Sequence, residues 1–238
     1  MIVGDGLIAS QCEDDPNVVI FASGVSNSKC KDQAQFDCEA QLLLRVSEQS
    51  AGKRLVYFST CSVFGTHTPY TQHKLAMEQL VRKTYQDHLI VRLPIVIGES
   101  DNPHTLTNYL HACIRDRKRF TLQRRAYRYV IDAADIPTAV QRLAGVRGTV
   151  AVAHPSVYSV AEIVSELEDI VGQRAVYDIS DTGDAYSCDP VYIATEGRGY
   201  LRRTLRKYYR DRRIPARAPR PEDRSLDAAV RQAAHAWR

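Results

Sequence analysis

Three side chains with complementary chemistry occur close together in the chain: Thr60, Tyr70 and Lys74. Thr60 follows an apolar run at residues 55–58, and Tyr70 and Lys74 are four positions apart. Residues at i and i+4 of a helix share one face, so we expect the Tyr70 phenol and the Lys74 ammonium to point at one ligand. A phenol titrates near pH ~10 when unperturbed, and a neighbouring cation lowers its pKa. The spacing therefore predicts a general acid/base for interconverting a hydroxyl and a carbonyl.

Strands and helices alternate around these residues. Continuous apolar runs predict buried strands at residues 18–22, 55–58 and 88–93. The intervening segments 32–48 and 68–83 have the pattern of helices, and Thr68-Pro69 supplies an N-cap and a first-turn proline for the second one. Further along, the pattern predicts helices at 105–115, 135–143 and 160–171 and strands at 129–131 and 149–152. We predict an α/β fold with a parallel sheet covered by helices on both faces.

A glycine-rich turn follows the first strand-like residues. Gly4, Gly6 and Ala9 fit the pattern G-x-G-x-x-A, which at a strand–helix junction allows a pyrophosphate to approach the N-terminus of a helix. A simple strand–helix turn is the alternative interpretation. Only eight residues separate Ala9 from the next strand, which is near the lower limit for a parallel crossover. The dinucleotide-binding pattern also has an acidic residue ~20 residues further on that binds the ribose, and the apolar strand at 18–22 stands there instead.

Composition limits the classes of protein that the chain can belong to. The chain contains no run of ~18 apolar residues, so we expect no transmembrane helix. The N-terminal residues do not have the pattern of a signal segment. The six cysteines are scattered without a C-x-x-C pair, which predicts reduced thiols in the cytoplasm and no zinc site. Residues 201–238 hold 12 basic and 4 acidic residues, a net charge of +8, whereas the rest of the chain has a net charge of −4.

Residues 1 to about 200 resemble a known family in the order of their motifs. Residues 18–24, ending in Ser23-Gly24, resemble a fourth strand and its small-residue turn, and residues 59–65 resemble a fifth-strand serine/threonine motif. Tyr70 and Lys74 match a Y-x-x-x-K motif, and residues 92–98 resemble the sixth-strand motif. In this order the motifs resemble the extended short-chain dehydrogenase/reductases, the NAD-dependent sugar epimerase/dehydratase group.

The resemblance implies a role for each matching residue. Thr60, Tyr70 and Lys74 would be catalytic, with Thr60 bound to the substrate oxygen, Tyr70 moving the proton, and Lys74 holding the nicotinamide ribose and lowering the Tyr70 pKa. The cofactor, NAD or NADP, would contact Gly4, Gly6, Ala9, Ser23, Gly24 and Pro94. The nucleotide-sugar substrate would contact Asn102, Thr105, Asn108 and Arg128.

The departures from the family pattern also carry information. Strands two and three, which bind the adenosine, have no counterpart, so the chain looks like a shortened Rossmann-like domain. A direct link from the first strand to the fourth would be left-handed if it kept its usual face, so either the link is not a helix on that face or the strand order differs. Cys61 and Ser62 stand where 4,6-dehydratases carry an Asp-Glu pair, which disfavours that reaction.

We therefore expect a domain at residues 1–210 with a small substrate-binding part at 99–128 and 150–205, and a basic tail at 211–238. The expected function is an NAD(P)-dependent epimerase or ketoreductase on a nucleotide-activated sugar, in surface polysaccharide synthesis. The alternatives are a catalytically degenerate relative that binds a nucleotide or a protein, and a cofactor site completed by a partner subunit, such as a homodimer. The tail suits an acidic partner or surface better than specific nucleic-acid recognition.

Overall fold

The computed structural model describes residues 1–191 and 199–210. Numbered in chain order, the strands of this part are β1 (Ile2–Val3), β2 (Val18–Phe21), β3 (Arg54–Thr60), β4 (His88–Leu93), β5 (Ile95–Ile97), β6 (Phe120–Gln123), β7 (Tyr127–Arg128), β8 (Val130–Asp132), β9 (Gly148–Ala151), β10 (Tyr158–Ser159) and β11 (Tyr177–Ser180). Its α-helices are α1 (Gln33–Gln49), α2 (Pro69–Thr84), α3 (Leu106–Arg115), α4 (Ile136–Arg142), α5 (Val160–Val171) and α6 (Tyr200–Tyr209). The tail predicted from residue 211 lies outside the described residues.

A parallel sheet in the order β1-β2-β3-β4-β9 forms the centre of the fold. Alternate strand residues point to opposite faces. Phe21, Leu55 and Tyr57 pack under α1 and α2 on one face. Val56 and Val91 pack under α4 on the other face. This confirms the predicted α/β fold with a parallel sheet covered on both faces.

The link between β1 and β2 differs from the predicted strand–helix turn. In residues 4–17, all of which are described, the only helical element is a 3₁₀ turn at Ala9–Gln11. Ile8 and Cys12 pack on the face of the sheet that holds α4, opposite α1 and α2. The link therefore has the opposite hand to the crossovers through α1 and α2. The order of the strands in the sheet follows their order in the chain. Of the two solutions offered for the left-handed link, the structure has the first: the link is not an α-helix. The packing argument for right-handed crossovers therefore does not apply to it.

A second core lies beyond the end of β4. It joins β5, β6 and β8 to α3, α5 and α6, with Ile97, Ile114, Ile163, Leu167 and Leu205 among its most buried members. Three two-stranded pairs, β5–β8, β6–β11 and β7–β10, surround it. These elements stand beside the carboxyl end of the central sheet, because β5 follows β4 after a single residue, Pro94. No helix in the described part of the chain is long and apolar enough to cross a membrane.

Candidate active site

The loops that carry the predicted site residues meet at the carboxyl edge of the central sheet, where ligands of open α/β sheets bind. Gly4 follows β1 with a φ of +120°, and a Cβ added there would come within 2.7 Å of the Ala22 carbonyl oxygen. The turn after β1 thus presses against the backbone after β2, which only glycine allows. Further along the same turn, Leu7 packs on Gly98, where an added Cβ would lie 2.7 Å from Leu7 Cδ1.

Helix α2 brings Tyr70 and Lys74 to the site. Thr68 and Thr71 form a reciprocal capping box, and Pro69 occupies the first turn, so the start of the helix is fixed by its own sequence. Tyr70, Lys74 and Met77 are all buried on the helix face that meets the sheet. The i, i+4 spacing therefore places the two side chains on one face, as the sequence predicts, with the Lys74 Nζ 6.0 Å from the centre of the Tyr70 ring.

Lys74 forms a buried ion pair that the sequence analysis missed. Its Nζ lies 2.8 Å from Oε1 of Glu39, and the two side chains are 5% and 1% exposed. Glu39 Oε1 also accepts a hydrogen bond from the Tyr57 hydroxyl at 2.8 Å, while its Oε2 accepts one from the Val25 amide at 2.9 Å. His73 Nε2 lies 2.9 Å from the same Oε2. Glu39 thus ties α1, α2, β3 and the loop after β2 together.

Gly24 closes the site above this ion pair. A Cβ at Gly24 would lie 2.7 Å from Glu39 Oε1 and 2.8 Å from Lys74 Nζ, so the backbone after β2 rests directly on both charges. The Glu39–Lys74 pair was not predicted because Glu39 lies on α1, remote in sequence. One signal was available: Glu39 occupies the same helix face as the buried Phe36 and Leu43, where a carboxylate needs a partner.

Both members of the ion pair are held in their charged forms. Burial opposes ionisation of Glu39, but the Lys74 charge and the hydrogen bonds from His73, Lys74 and Val25 outweigh it and lower its pKa to about 2. Burial likewise opposes the charged form of Lys74, and the charge of Glu39 outweighs it and raises the Lys74 pKa.

Burial acts on the Tyr70 phenol in addition to the Lys74 charge that the sequence analysis predicted. Its side chain packs with Val25, Cys30 and Phe36, and the residue is 8% exposed. Burial raises its pKa, and the negative charge of Glu39 acts in the same direction. The charge of Lys74 and the Thr60 hydroxyl lower it by less, so the net shift is upward. Lys74 therefore lowers the Tyr70 pKa, as the sequence analysis predicted, but burial, which the spacing of the two residues does not reveal, raises it by more.

A second buried carboxylate fixes the end of β3, where Thr60 lies. Glu78, on α2, accepts a hydrogen bond from the Ser59 hydroxyl at 2.7 Å and a two-point contact from Arg92 at 2.8 and 2.6 Å. Thr60 accepts a hydrogen bond from the Ser62 amide at 3.1 Å. The Thr60 backbone is thereby held between α2 and β4.

Cys61 is inaccessible beside Thr60. It is fully buried and donates to the Arg92 carbonyl oxygen at 3.3 Å, and burial raises the pKa of its thiol far above the ordinary value. A buried thiol of this kind is structural and not nucleophilic.

The residues predicted to contact the substrate make their contacts within the protein. Asn102 donates to the Ser26 hydroxyl at 3.0 Å, and Asn108 donates to the carbonyl oxygens of Ser100 and Asn102 at 2.8 and 2.7 Å. The Arg128 guanidinium pairs with Asp184 at 2.6 Å. Thr105 caps α3 without a side-chain hydrogen bond to its first turn. Asn102 and Asn108 thus shape the loop after β5, and their roles toward a substrate stay predictions.

The remaining predicted cofactor residues border the same edge. Pro94 and Ser23 are half-buried, Gly6 is exposed and Ala9 is buried in the 3₁₀ turn. The close approaches at Gly4 and Gly24 are contacts within the protein, with the backbone of Ala22 and with the Glu39–Lys74 pair, and the roles of these glycines toward a dinucleotide stay predictions. The adenosine end of a dinucleotide would need further strands outside β1, and residues 4–17 form none. They form only the short 3₁₀ turn, where a helix would be expected to face the pyrophosphate.

The fold and the site define a shortened dinucleotide-binding type of α/β domain with a Tyr/Lys pair at its carboxyl edge. Residues 7–152 match the family model described as the NAD dependent epimerase/dehydratase family. The chain belongs to this family, which confirms the resemblance identified from its sequence motifs. No curated protein matches the chain in sequence.

Solved structures with the same fold include nucleotide-sugar enzymes. UDP-glucose 4-epimerase of Thermus thermophilus in complex with NAD aligns with a TM-score of 0.58 and 16% identity over 68% of this chain and 64% of that one. dTDP-4-dehydrorhamnose reductase of Bacillus anthracis in complex with NADP gives 0.59 and 18% over 70% and 66%. MoeE5 in complex with UDP-glucose and NAD gives 0.59 and 18% over 98% and 83%. The chain spans about two thirds of the length of the first two, and at these identities the likeness concerns the fold.

Proposed function

We propose that this protein interconverts a hydroxyl and a carbonyl on the sugar of a nucleotide-activated sugar, with NAD or NADP as hydride carrier. The observation that carries the proposal is the meeting of Thr60, Tyr70 and Lys74 at the carboxyl edge of the sheet, next to the glycine turns after β1 and β2. Membership of the family and the nucleotide-sugar enzymes of the same fold support this substrate class.

Each side chain has a distinct task in the proposed reaction. The Tyr70 oxygen carries the proton that is exchanged with the substrate oxygen. Thr60, whose hydroxyl acts on the Tyr70 pKa and lowers it, orients that substrate oxygen. Lys74 donates to Glu39 at 2.8 Å and to the Tyr57 hydroxyl at 3.4 Å, and its third donor would bind the ribose hydroxyls of the cofactor. A bound nicotinamide would supply or accept the hydride.

The side chains after Thr60 favour redox chemistry over elimination of water. An elimination requires an acid and a base placed at the sugar in addition to Tyr70. Cys61 is buried with a raised pKa, and Ser62 offers only a hydroxyl. An epimerase or a ketoreductase therefore fits these residues better than a 4,6-dehydratase.

The test is turnover of wild-type protein and Tyr70→Phe on a panel of UDP- and dTDP-activated sugars and their 4-keto forms, with NAD, NADH, NADP and NADPH. We expect Tyr70→Phe to lose activity ~100-fold or more, as is typical for removal of a general acid/base. The matched control is Tyr177→Phe, which removes a hydroxyl from a partly exposed residue of β11. Equal turnover by wild type and Tyr70→Phe would overturn the proposal.

The second candidate function is binding of a nucleotide sugar without catalysis. It is favoured by the position of β1 at the sheet edge, which leaves the described residues without an adenosine site, and by the buried Glu39–Lys74 pair. In that case calorimetry would detect a nucleotide sugar while no dinucleotide binds. A cofactor site completed by a second subunit would instead bind dinucleotide only in an oligomer, which size-exclusion chromatography with the same titration detects. A role in surface polysaccharide synthesis, a cytoplasmic location and an acidic partner for the tail stay predictions.

A further inference from the structure

We propose that the outward face of α6, together with the basic chain that follows it, binds the phosphate headgroups of an anionic lipid surface. Five exposed side chains form this face: Arg202, Arg203, Arg206, Lys207 and Arg210. Residues 199–210 contain no acidic side chain. The proposal goes beyond the proposed function, because none of these residues belongs to the candidate active site.

The charges of α6 lie on one side of the helix. At 3.6 residues per turn, the five cations fall within an arc of about 140°. Every exposed residue of 200–210 is one of them, and the others are buried or half-buried. The side of α6 that solvent reaches is therefore composed of arginine and lysine alone.

The opposite side fastens the helix to the protein. Leu205 and Tyr209 are buried in the second core. The Tyr209 hydroxyl donates to the Thr107 hydroxyl at 2.9 Å, and the Tyr208 hydroxyl donates to Asp132 at 2.6 Å. Because the apolar side is committed to these contacts, α6 presents only its cations to a partner.

The placement of the cations works against the stability of the helix itself. Arg202 and Arg203 stand in the first turn, where no acidic residue occurs. The N-terminal end of a helix carries a partial positive charge, so cations are unfavourable there. Arg202, Arg206 and Arg210 also follow one another at intervals of four, a spacing at which like charges destabilise a helix. An anionic surface outside the protein would relieve both effects.

Acidic neighbours compensate only part of this charge. Arg202 lies 3.4 Å from a carboxylate of α5, and Lys207 lies 3.0 Å from the carboxylate that ends β8. Among the residues that the structure describes, Arg206 and Arg210 have no ion pair. These two arginines are available for an anion outside the chain.

The composition of the face favours a lipid surface over a protein or a nucleic acid. A specific protein interface has a core of apolar and aromatic residues, and no exposed residue of α6 is of that kind. Proteins that bind single-stranded nucleic acid stack bases on aromatic side chains, whereas Tyr208 and Tyr209 are bonded within the protein. A leaflet of anionic headgroups requires only cations at its surface.

The chain beyond α6 continues the same character. Residues 211–238 add 7 basic and 4 acidic residues. They include Trp237, a residue type that is enriched at the interface between membrane and water. The basic surface therefore extends from a rigid helix into the remainder of the chain.

The expected strength follows from the number of cations. Each lysine or arginine near an anionic leaflet increases binding about fivefold, so the five of α6 would increase it on the order of 10³-fold over a neutral surface. The attraction acts over a Debye length, about 10 Å at 0.1 M salt, and weakens as salt is added.

The test is sedimentation of the full chain with vesicles of phosphatidylcholine, with and without phosphatidylglycerol, at low and high salt. We expect binding to the vesicles that contain phosphatidylglycerol, no binding to phosphatidylcholine alone, and loss of binding at high salt. Arg206→Gln/Arg210→Gln should bind about 25-fold more weakly, since two cations are lost. The matched control, Arg45→Gln/Lys83→Gln, removes the same charge from exposed residues of α1 and α2 and should bind as the wild type does.

Three results would overturn the proposal. The first is no binding of the wild type to anionic vesicles at low salt. The second is equal binding by the two double variants, with circular dichroism verifying that both are folded. The third is tighter binding of a DNA duplex or of polyglutamate than of the vesicles at equal anionic charge.

Discussion

Replacing Lys74 by methionine tests how much the buried ion pair contributes to stability. Methionine keeps most of the side-chain volume but leaves the Glu39 carboxylate, 1% exposed, without its cation. Breaking a buried pair on one side typically costs about 3–5 kcal/mol, because the remaining charge stays desolvated. The pKa of Glu39 gives a similar figure: a shift from 4.5 to about 2 corresponds to about 3 kcal/mol of stabilisation. We therefore expect Lys74→Met to unfold at a markedly lower urea concentration at pH 7.

The pH dependence of this loss follows from the direction of the shift. Because the folded-state pKa of Glu39 is lowered, its stabilising contribution is present above the unfolded value near 4.5 and is lost as the pH falls toward 2. In Lys74→Met, burial without the cation favours the protonated carboxyl, so this variant gains relative stability as the pH falls. The gap between wild type and variant should therefore be widest near pH 7 and shrink toward pH 3.

The assay is urea unfolding of four proteins at both pH values. Glu39→Gln/Lys74→Met should recover about 2 kcal/mol relative to Lys74→Met, as expected for two residues in direct contact. The control Lys83→Met, on the exposed side of the same helix, should stay within about 0.5 kcal/mol of wild type. A loss below about 1 kcal/mol for Lys74→Met, or a gap of equal size at both pH values, would refute the reasoning.

Three further substitutions test other parts of the account by chemical denaturation. Gly24→Ala should cost about 1–3 kcal/mol because its Cβ would press on Glu39 and Lys74, whereas Gly145→Ala, with open space around it, should be nearly neutral; equal effects would contradict the close approach at Gly24. Tyr200→Phe should cost about 1–3 kcal/mol, since the buried hydroxyl donates to Asp135 at 2.7 Å and accepts from the Asp132 amide at 2.7 Å; unchanged stability would show that this bond does not hold α6. Ser159→Ala should cost about 1 kcal/mol by removing the capping box of α5, and no change would mean that the cap is redundant.

Local sequence signals predicted the elements that position Thr60, Tyr70 and Lys74. The strand ending at Thr60 is a continuous apolar run, and α2 begins at Thr68-Pro69 because the cap and the proline are adjacent in sequence. The same holds for α5, whose capping box is formed by Ser159 and Glu162. In each case the determining contacts join residues a few positions apart, so they are visible in the sequence alone.

The features that the sequence analysis missed depend on contacts between distant segments. Glu39 and Lys74 are 35 residues apart, and only the packing of α1 beside α2 brings them together. The upward shift of the Tyr70 pKa arises from burial by the loop after β2, which the Y-x-x-x-K spacing does not contain. The glycine pattern after β1 predicted a helix, but the short link between β1 and β2 crosses the face of the sheet that holds α4 and contains only a 3₁₀ turn.

The central claim, that the Tyr70–Lys74 pair serves a nicotinamide, is tested most directly by titrating the full chain with NADH and NADPH and following ligand fluorescence and the melting temperature. The account predicts saturable binding of at least one of them, with a rise in melting temperature that grows with ligand concentration. Binding should weaken in the folded Glu39→Gln/Lys74→Met variant and stay unchanged in Lys83→Met. No response of the wild type to either dinucleotide at millimolar concentration, in monomeric or oligomeric fractions, would contradict the claim.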